Sequence, residues 1–125
     1  MKHFLTILTL VLFASTTLCF ADTNEDSNAV YKLYPTKNMW TFLKLNTRNG
    51  QLWQVQFDVS GSNRGEVDLS PITLCFSFEE KNGRFELYPT QNMYNFIMLD
   101  RVDGRTWQVQ WSQDEENRGI IKITQ

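Results

Sequence analysis

The strongest constraint on this chain is that it repeats itself. Residues 33–42 read LYPTKNMWTF and residues 87–96 read LYPTQNMYNF, at an offset of 54 positions. The same offset maps residues 53–65 onto residues 107–119, including the strings WQVQ and NRG. About half of the positions between 33 and 57 are identical in the two copies. This identity indicates a tandem duplication, in which each copy is one supersecondary unit and two units close one core.

Each copy predicts four β-strands. In the first copy they span residues 30–34, 39–45, 52–57 and 66–69; in the second they span residues 85–88, 93–99, 106–111 and 120–123. These runs are rich in aromatic and β-branched residues and are bounded by Asn, Asp, Gly and Pro. Pro35 and Pro89 lack the N–H that a ladder needs, so each should end a strand. Residues 71–78 alternate apolar and polar, which predicts one additional connecting strand.

These elements predict an all-β fold of two tandem antiparallel β units with pseudo-two-fold symmetry, packed as a compact sandwich or a partly closed barrel. The alternative is that each unit is a propeller blade, with subunits completing a ring. The predicted organisation is a signal peptide at 1–21, a disordered segment at 22–29 and a single β domain at 30–125. That domain contains repeat 1 (30–70), a connector strand and loop (71–83) and repeat 2 (84–125).

Residues 1–21 have the pattern of a secretory signal peptide. Lys2 and His3 are followed by an apolar run over residues 4–14, and Cys19 and Ala21 supply the small side chains that signal peptidase prefers. The pattern predicts export to the periplasm or the extracellular medium. The alternative is a lipoprotein signal with Cys19 as the lipidated residue. The apolar run is short for a membrane span, and no later segment could cross a bilayer.

Composition argues against an enzyme. His3 is the only histidine, so cleavage would leave a mature protein without imidazole, which excludes Ser-His-Asp and Cys-His nucleophiles and His-ligated metal sites. Carboxylates such as Asp58 and Glu66 could do acid–base work, but they fall mostly in turns or at strand ends. The prediction is a non-enzyme without metal or cofactor. Cys75 has no intrachain disulfide partner after cleavage. The formal net charge of −2, without a basic patch, also argues against a nucleic-acid partner.

The turn between the second and third strands decides which residues share a face. It reads TRNGQ at residues 47–51 and RVDGR at residues 101–105. A two-residue type I′ turn would place Leu45 opposite Gln54, whereas a three-residue loop would place Leu45 opposite Trp53. Because a one-residue slip moves every side chain to the other face, apolar positions should coincide. This argument predicts the three-residue loop.

That register predicts a second face on which large aromatic side chains lie beside paired glutamines. Such a combination is typical of an interaction surface, because aromatics provide contact area and amides provide directional hydrogen bonds. The alternative is that this face also packs inside the protein. The predicted partner-binding residues are Trp40, Phe42, Gln54, Gln56, Tyr94, Phe96, Gln108 and Gln110.

The string YPTQNMYNFIMLDRVDGRTWQVQW at residues 88–111 resembles a motif of small exported β-repeat proteins from gut anaerobic bacteria, a family without an assigned activity. The resemblance covers residues 33–57 and 87–111. It implies export and repetition, and it brings no catalytic residues. Lys37 and Asn46 in the first copy depart from the motif, which favours the second copy as the stronger binding site.

Three kinds of binding function fit these observations. The first is a periplasmic or secreted module that binds another protein, and this one is favoured. The second is a glycan-binding module in which Trp40, Tyr94 or Trp111 stacks on sugar rings. The third is a periplasmic inhibitor or immunity-type protein, which would bind one protein partner tightly.

Overall fold

The computed structural model of the protein describes residues 29–124. The predicted signal peptide and the predicted disordered segment, except for residue 29, lie outside the described residues. Sheet 1 contains β1 (Tyr31–Pro35), β2 (Thr41–Asn46), β3 (Leu52–Gln56) and β4 (Gly65–Ser70). Sheet 2 contains β5 (Phe85–Pro89), β6 (Asn95–Asp100), β7 (Thr106–Gln110) and β8 (Gly119–Ile123). Short 3-10 turns occupy Ser77–Glu79 and Glu115–Asn117.

The prediction of two tandem antiparallel units is confirmed. In each sheet every strand pairs with its sequence neighbour, and equivalent strands have equivalent pairing. Pro35 and Pro89 are the last residues of β1 and β5, as their missing N–H groups require. The two sheets are hydrogen-bonded separately and do not close into a barrel, an arrangement that is compatible with a two-unit sandwich.

The predicted three-residue loop between the second and third strands is wrong. The loop has four residues, because Asn46 pairs with Gln51: the Asn46 N–H donates to the Gln51 carbonyl at 2.9 Å, and the Gly50 N–H donates to the Asn46 carbonyl at 2.9 Å. The Asn46 side chain accepts the Arg48 N–H, which stabilises the turn. Gly50 has φ of +85°, a conformation that favours glycine.

This turn shifts the predicted strand register by one residue. Leu45 pairs with Leu52, and Leu43 pairs with Gln54. The prediction assumed that apolar residues must pair with apolar residues. The fold instead buries Gln54 and satisfies it with hydrogen bonds. Sheet 2 has the same register, with Ile97 opposite Gln108.

The observed register gives each sheet two distinct faces. We call the face that carries Gln54 and Gln56 in sheet 1, or Gln108 and Gln110 in sheet 2, the amide face. The opposite face carries Trp53 in sheet 1 and Trp107 in sheet 2, and we call it the tryptophan face.

The two sheets bury opposite faces. Sheet 1 buries its amide face, whose core residues are Tyr34, Leu43, Leu45, Leu52 and Leu69. Sheet 2 buries its tryptophan face, whose core residues are Phe85, Leu87, Phe96, Met98, Trp107, Val109 and Trp111. These twelve residues form one hydrophobic core. The duplicated units therefore meet through non-equivalent faces.

Hydrogen bonds between the sheets fix this packing. The Phe85 N–H donates to the Thr47 carbonyl at 2.8 Å, which anchors the start of β5 on the turn of sheet 1. Tyr34 donates its hydroxyl to Glu86, which also accepts Lys32 Nζ at 2.9 Å. Burial and the hydrogen bond to Glu86 raise the pKa of Tyr34, so this hydroxyl stays a donor.

The predicted connector strand at residues 71–78 is also wrong. The segment is a loop followed by a 3-10 turn, and its backbone bonds to the β2–β3 and β6–β7 turns rather than to a sheet. The Leu74 N–H donates to the Asn49 carbonyl, and Arg105 donates to the Leu74 carbonyl, both at 2.8 Å. Leu74 and Cys75 are half-buried, whereas Phe76 and Phe78 are exposed and stack on each other.

A buried ion pair holds the ends of β5 and β6 together. Arg84 donates from Nε to both carboxylate oxygens of Asp100 at 3.0 and 3.1 Å, and from a terminal nitrogen at 2.8 Å. Arg105 adds a bond of 3.0 Å. Burial raises the pKa of Asp100, but the hydrogen bonds from Arg84, Arg105 and the turn N–H groups outweigh burial and lower that pKa to about 2. Repeat 1 has Val30 and Asn46 at the positions of Arg84 and Asp100.

Candidate binding surfaces

The eight residues predicted as one partner-binding face lie on both sides of the sheets. Phe42 and Phe96 are on the tryptophan face, whereas the four glutamines are on the amide face. The four-residue loop is the reason, because it changes the parity between the second and third strands. The structure therefore does not bring the eight residues together as one surface, and binding through them stays a prediction.

The aromatic members of this set pack on their own repeat. Trp40 contacts Phe57 with ring centroids 5.2 Å apart, and Tyr94 contacts Trp111 at 4.9 Å. Trp40 and Tyr94 keep exposed surface, Phe42 is half-buried, and Phe96 is buried in the core. Trp111 also donates its indole N–H to the Met93 carbonyl at 2.8 Å.

The glutamines have different environments in the two copies. Gln54 is only 1 % exposed, and its carbonyl oxygen accepts the Ser112 N–H from the other repeat at 3.3 Å. Its equivalent Gln108 is exposed and donates to the Asn95 side chain at 2.9 Å. Gln56 accepts the Thr41 hydroxyl, and Gln110 donates to the Asn117 carbonyl. Of these four glutamines, only Gln54 has a hydrogen bond that joins the two sheets.

The tryptophan face of sheet 1 is an uncovered apolar surface. Tyr31 and Leu33 are exposed, and Trp53 is half-buried. The Tyr31 and Trp53 rings lie 6.2 Å apart, and Lys44 Nζ lies 5.0 Å from the centroid of the Trp53 ring. Lys44 also forms an ion pair with Glu66. An apolar face of this extent on one side of a sheet is typical of an interaction surface.

The amide face of sheet 2 is the second uncovered surface. Tyr88, Ile121 and Ile123 are exposed, and Ile97 and Leu99 are half-buried. Gln108 lies in the middle of this surface, opposite Ile97 on β6 and opposite Ile121 on β8. Sequence reasoning did not select either surface. The signal in the sequence was that both faces of each repeat carry apolar residues. A face that is exposed to water does not need apolar residues.

Two equivalent polar grooves lie beside the glutamines. The first, of about 430 Å³, is lined by Gln54, Gln56, Asn63, Arg64, Gly65 and Val67, together with Gln113 and Arg118 from repeat 2. The second, of about 280 Å³, is lined by the repeat equivalents Gln108, Gln110, Asn117, Arg118, Gly119 and Ile121, with Glu116 and Ile120. Both sheets contribute to the first groove, whereas every lining residue of the second belongs to repeat 2. The repeated NRG strings were the sequence signal for these grooves.

A cleft of about 640 Å³ lies where the two repeats meet at the start of β5. Its lining includes the cations Lys32, Arg84 and Arg101, which could suggest an anion site. Arg84 is paired with Asp100, however, and Lys32 is paired with Glu86. Arg101 donates to the Gly83 carbonyl at 3.3 Å. These contacts explain the charges as links between strands.

The carboxylates considered for acid–base chemistry have structural partners. Asp58 accepts the N–H groups of Ser60 and Gly61, which lowers its pKa and closes the loop after β3. Asp100 is held by two arginines. Within residues 29–124 no group of three or more His, Cys, Asp or Glu side chains is placed to hold a metal ion. Burial raises the pKa of the half-buried Cys75 thiol, so it is a poor nucleophile.

No protein-family model, no curated protein and no solved structure matches the chain. In the part of the chain that the structure describes, no helix has the length and apolar character to cross a membrane. The two uncovered faces and the two grooves are the features of the described residues that could bind a partner.

Proposed function

We propose that the protein is an exported, non-enzymatic binding module whose partner is a protein. The observation that carries the proposal is that each sheet buries one apolar face and leaves the other uncovered. Export is supported by the signal-peptide pattern of residues 1–21.

The chemistry of the uncovered faces favours a protein over a small ligand. Tyr31, Leu33 and Trp53 form a broad apolar surface on a sheet rather than an enclosing cavity. Small ligands bind in concave sites that enclose most of their surface, whereas flat apolar faces with aromatic residues are characteristic of protein interfaces. Lys44 adds a cation beside the aromatic rings, which contributes specificity.

Affinity capture tests this proposal. Immobilised protein comprising residues 22–125 is exposed to cell-envelope extract and to culture medium, and retained proteins are identified by mass spectrometry. Leu33→Glu places a charge in the uncovered face of sheet 1, and Phe78→Glu places the same charge on an exposed residue of the connector. We expect a defined protein, a second copy included, to be retained by the wild type and by Phe78→Glu and lost by Leu33→Glu. Retention of no protein by a chain that is monomeric in solution, or equal retention by all three chains, would contradict the proposal.

A second candidate function is glycan binding in the polar grooves. The specific observation is that both repeats present the same set of amides and an arginine beside an open groove of about 280 to 430 Å³. Gln110 uses one N–H of its amide on the Asn117 carbonyl, so its other N–H and its carbonyl oxygen can bind sugar hydroxyls. Two equivalent sites would suit a repetitive ligand through avidity.

Calorimetric titration with a panel of oligosaccharides tests the second candidate. A chain carrying Gln56→Ala and Gln110→Ala should lose binding, while Gln51→Ala, in the β2–β3 turn, should retain it. Identical binding by the two variants would exclude the grooves as the site.

A further inference from the structure

We infer that the partner of the two uncovered faces is a second copy of this chain, and that copies stack head to tail into a closed ring. The inference rests on the proposed function, because it names the protein that covers those faces. The uncovered tryptophan face of sheet 1 would pack on the uncovered amide face of sheet 2 of the next copy.

The first argument is that this interface already exists once inside the chain. Within one chain, the amide face of sheet 1 packs on the tryptophan face of sheet 2. The faces left over are the tryptophan face of sheet 1 and the amide face of sheet 2. They are the repeat equivalents of the two faces that already pack. A second copy placed by the same geometry therefore covers both faces with a surface of the required shape.

The tryptophan face keeps its apolar character in both copies. Leu33 is 57 % exposed in sheet 1, and its equivalent Leu87 is 2 % exposed in the core. Aromatic or aliphatic residues occupy six of the seven equivalent positions. The pairs, with the residue of sheet 1 first, are Tyr31 and Phe85, Leu33 and Leu87, Phe42 and Phe96, Trp53 and Trp107, Val55 and Val109, and Phe57 and Trp111.

The seventh position has Lys44 in sheet 1 and Met98 in sheet 2. The aliphatic part of Lys44 can replace the methionine side chain, since lysine buries its methylene groups while its ammonium reaches a polar partner. That partner is Glu66, and the Tyr31 and Trp53 rings both lie near the ammonium, with centroids at 5.6 and 5.0 Å. Lys44 is therefore compatible with a tryptophan face of sheet 1 that is covered by a second copy.

The amide face is apolar in both copies as well. Ile123 is 42 % exposed in sheet 2, whereas its equivalent Leu69 is 5 % exposed in sheet 1. Four of the five equivalent core positions keep an apolar residue, and only Leu52 is replaced by a polar one, Thr106. The other pairs are Tyr34 and Tyr88, Leu43 and Ile97, and Leu45 and Leu99.

The polar contacts between the sheets also carry over to a second copy. Within the chain, Lys32 pairs with Glu86, its own repeat equivalent. At the next interface the equivalent contact joins Glu86 to Lys32 of the second copy, again a cation with an anion. The contact of Gln54 with the Ser112 N–H becomes a contact of Gln108 with the Asp58 N–H of the second copy. Gln108, which is exposed in a single chain, would then be buried and hydrogen-bonded to the neighbouring sheet, as Gln54 is.

The second polar groove would be completed by the same association. The first groove has a wall made by Gln113 and Arg118 from the neighbouring sheet. Their repeat equivalents are Val59 and Arg64, so these residues of a second copy would supply the missing wall of the second groove. Each groove of the assembly would then lie between two sheets, and a single chain holds only one complete groove.

A head-to-tail contact between unlike faces generates a ring when its rotation closes. Rings of stacked four-stranded sheets contain about four to eight sheets, and with two sheets per chain this gives about two to four copies. The packing of the two repeats through unlike faces therefore favours the alternative in which each repeat is one blade of a propeller and several chains complete the ring.

Two variants and their mixture test the inference by native mass spectrometry at micromolar concentration. Leu33→Glu blocks the tryptophan face of sheet 1, and Ile123→Glu blocks the amide face of sheet 2. Both substituted residues are exposed in a single chain, so each variant should fold, which circular dichroism checks. Phe78→Glu is the matched control on the connector.

We expect the wild type and Phe78→Glu to form one discrete species of two to four copies. Each face variant alone should have the mass of a single chain. Their equimolar mixture should form a dimer of one chain of each variant, because one intact tryptophan face meets one intact amide face. A wild type with single-chain mass would overturn the inference. So would an open polymer, or a face variant that still assembles alone, since that would indicate like faces pairing. A monomeric chain that still captures a different protein through Leu33 would overturn the ring and leave the proposed function standing.

Discussion

Sheet 1 and sheet 2 have the same strand order and many identical residues, and their registers differ only at a bulge where Leu52 pairs with Ser70, yet they bury opposite faces. Trp107 is in the core, whereas Trp53 is half-buried; Gln54 is in the core, whereas Gln108 is exposed. Burial in this protein is therefore determined by which neighbour a sheet has on each side. A unit that stacks between two neighbours needs two apolar faces, and both repeats have them.

The two repeats differ more clearly at the turn that follows their second strand. Repeat 2 places Asp100 between two arginines, whereas repeat 1 places the neutral Asn46 at the same position. Both side chains accept a backbone N–H two residues later, so the turn geometry is the same. Through its two arginines, the Asp100 carboxylate links the start of β5 to the end of β6, and Arg105 also contacts the connector. Within the described residues, Asn46 has no such ion pair.

The largest expected effect on the free energy of unfolding comes from substitutions in these two turns. Asp100→Ala leaves the Arg84 guanidinium buried without its carboxylate, which should cost about 3 to 5 kcal/mol of unfolding free energy. Asn46→Ala removes a neutral turn hydrogen bond and should cost about 1 to 2 kcal/mol. Urea unfolding of both variants measures the difference. Equal costs would show that the ion pair adds nothing to the turn.

A second expectation separates the two tryptophans. In the non-assembling Leu33→Glu chain, Trp107→Ala should cost about 3 to 5 kcal/mol, because it leaves a cavity in the core. Trp53→Ala in the same chain should cost about 1 kcal/mol, mainly through its lost contact with Tyr31. Urea unfolding again provides the measurement. A large cost at Trp53 would mean that the tryptophan face of sheet 1 is covered within one chain.

The Asp100 carboxylate should make the stability of the protein fall in acid, whereas the neutral Asn46 at the equivalent turn of repeat 1 should not. The pKa of Asp100 is about 2 in the folded protein, below its ordinary value of 3.8. Its contribution is therefore present above pH 4 and lost as the pH falls from about 4 to about 2. The loss should amount to about 2 to 3 kcal/mol. Comparing the unfolding free energies of wild type and Asp100→Asn against pH isolates it. A gap between them that does not narrow in acid would contradict the assignment.

The smallest expected effect on stability is the difference between substitutions of Gln54 and of Gln108. In the Leu33→Glu chain, Gln54→Ala removes the acceptor of the buried Ser112 N–H and should cost about 1 to 3 kcal/mol. Gln108→Ala should change stability by less than about 0.5 kcal/mol, because its side chain is exposed. Thermal unfolding compares the two. In a chain that keeps Leu33, Gln108→Ala with Gln110→Ala should weaken association, whereas in the Leu33→Glu chain the same pair should leave the melting temperature nearly unchanged. A large drop in melting temperature would make both residues part of the core.

The strands could be predicted because their signals are local. Pro35 and Pro89 end strands, Gly50 and Gly104 mark turns, and the runs between them are aromatic and β-branched. Register could not be read in the same way. It depends on the side chain of Asn46 or Asp100, which stabilises a loop one residue longer than the predicted loop. The glycine of this turn does not reveal the loop length, because the shorter loops would contain the same glycine.

Which residues share a face could not be predicted from one repeat alone. Phe42 and Gln54 were assigned to one surface through the register, and the shift of one residue separated them. Which face is covered depends on the neighbouring sheet, and two repeats with the same pattern of apolar residues cannot show that difference. The connector was misassigned because its alternation of apolar residues reflects contacts of Leu74 with the turns and not membership of a sheet.

The most direct test of the head-to-tail account is a zero-length cross-link between Lys32 and Glu86. Unlabelled and ¹⁵N-labelled chains are unfolded, mixed, refolded together and treated with a carbodiimide. The account predicts linked peptides of mixed label, in which Lys32 of one chain is joined to Glu86 of another, and their loss in Leu33→Glu. Cross-linked peptides that carry only one label would show that Glu86 contacts Lys32 of its own chain alone, and would contradict the account.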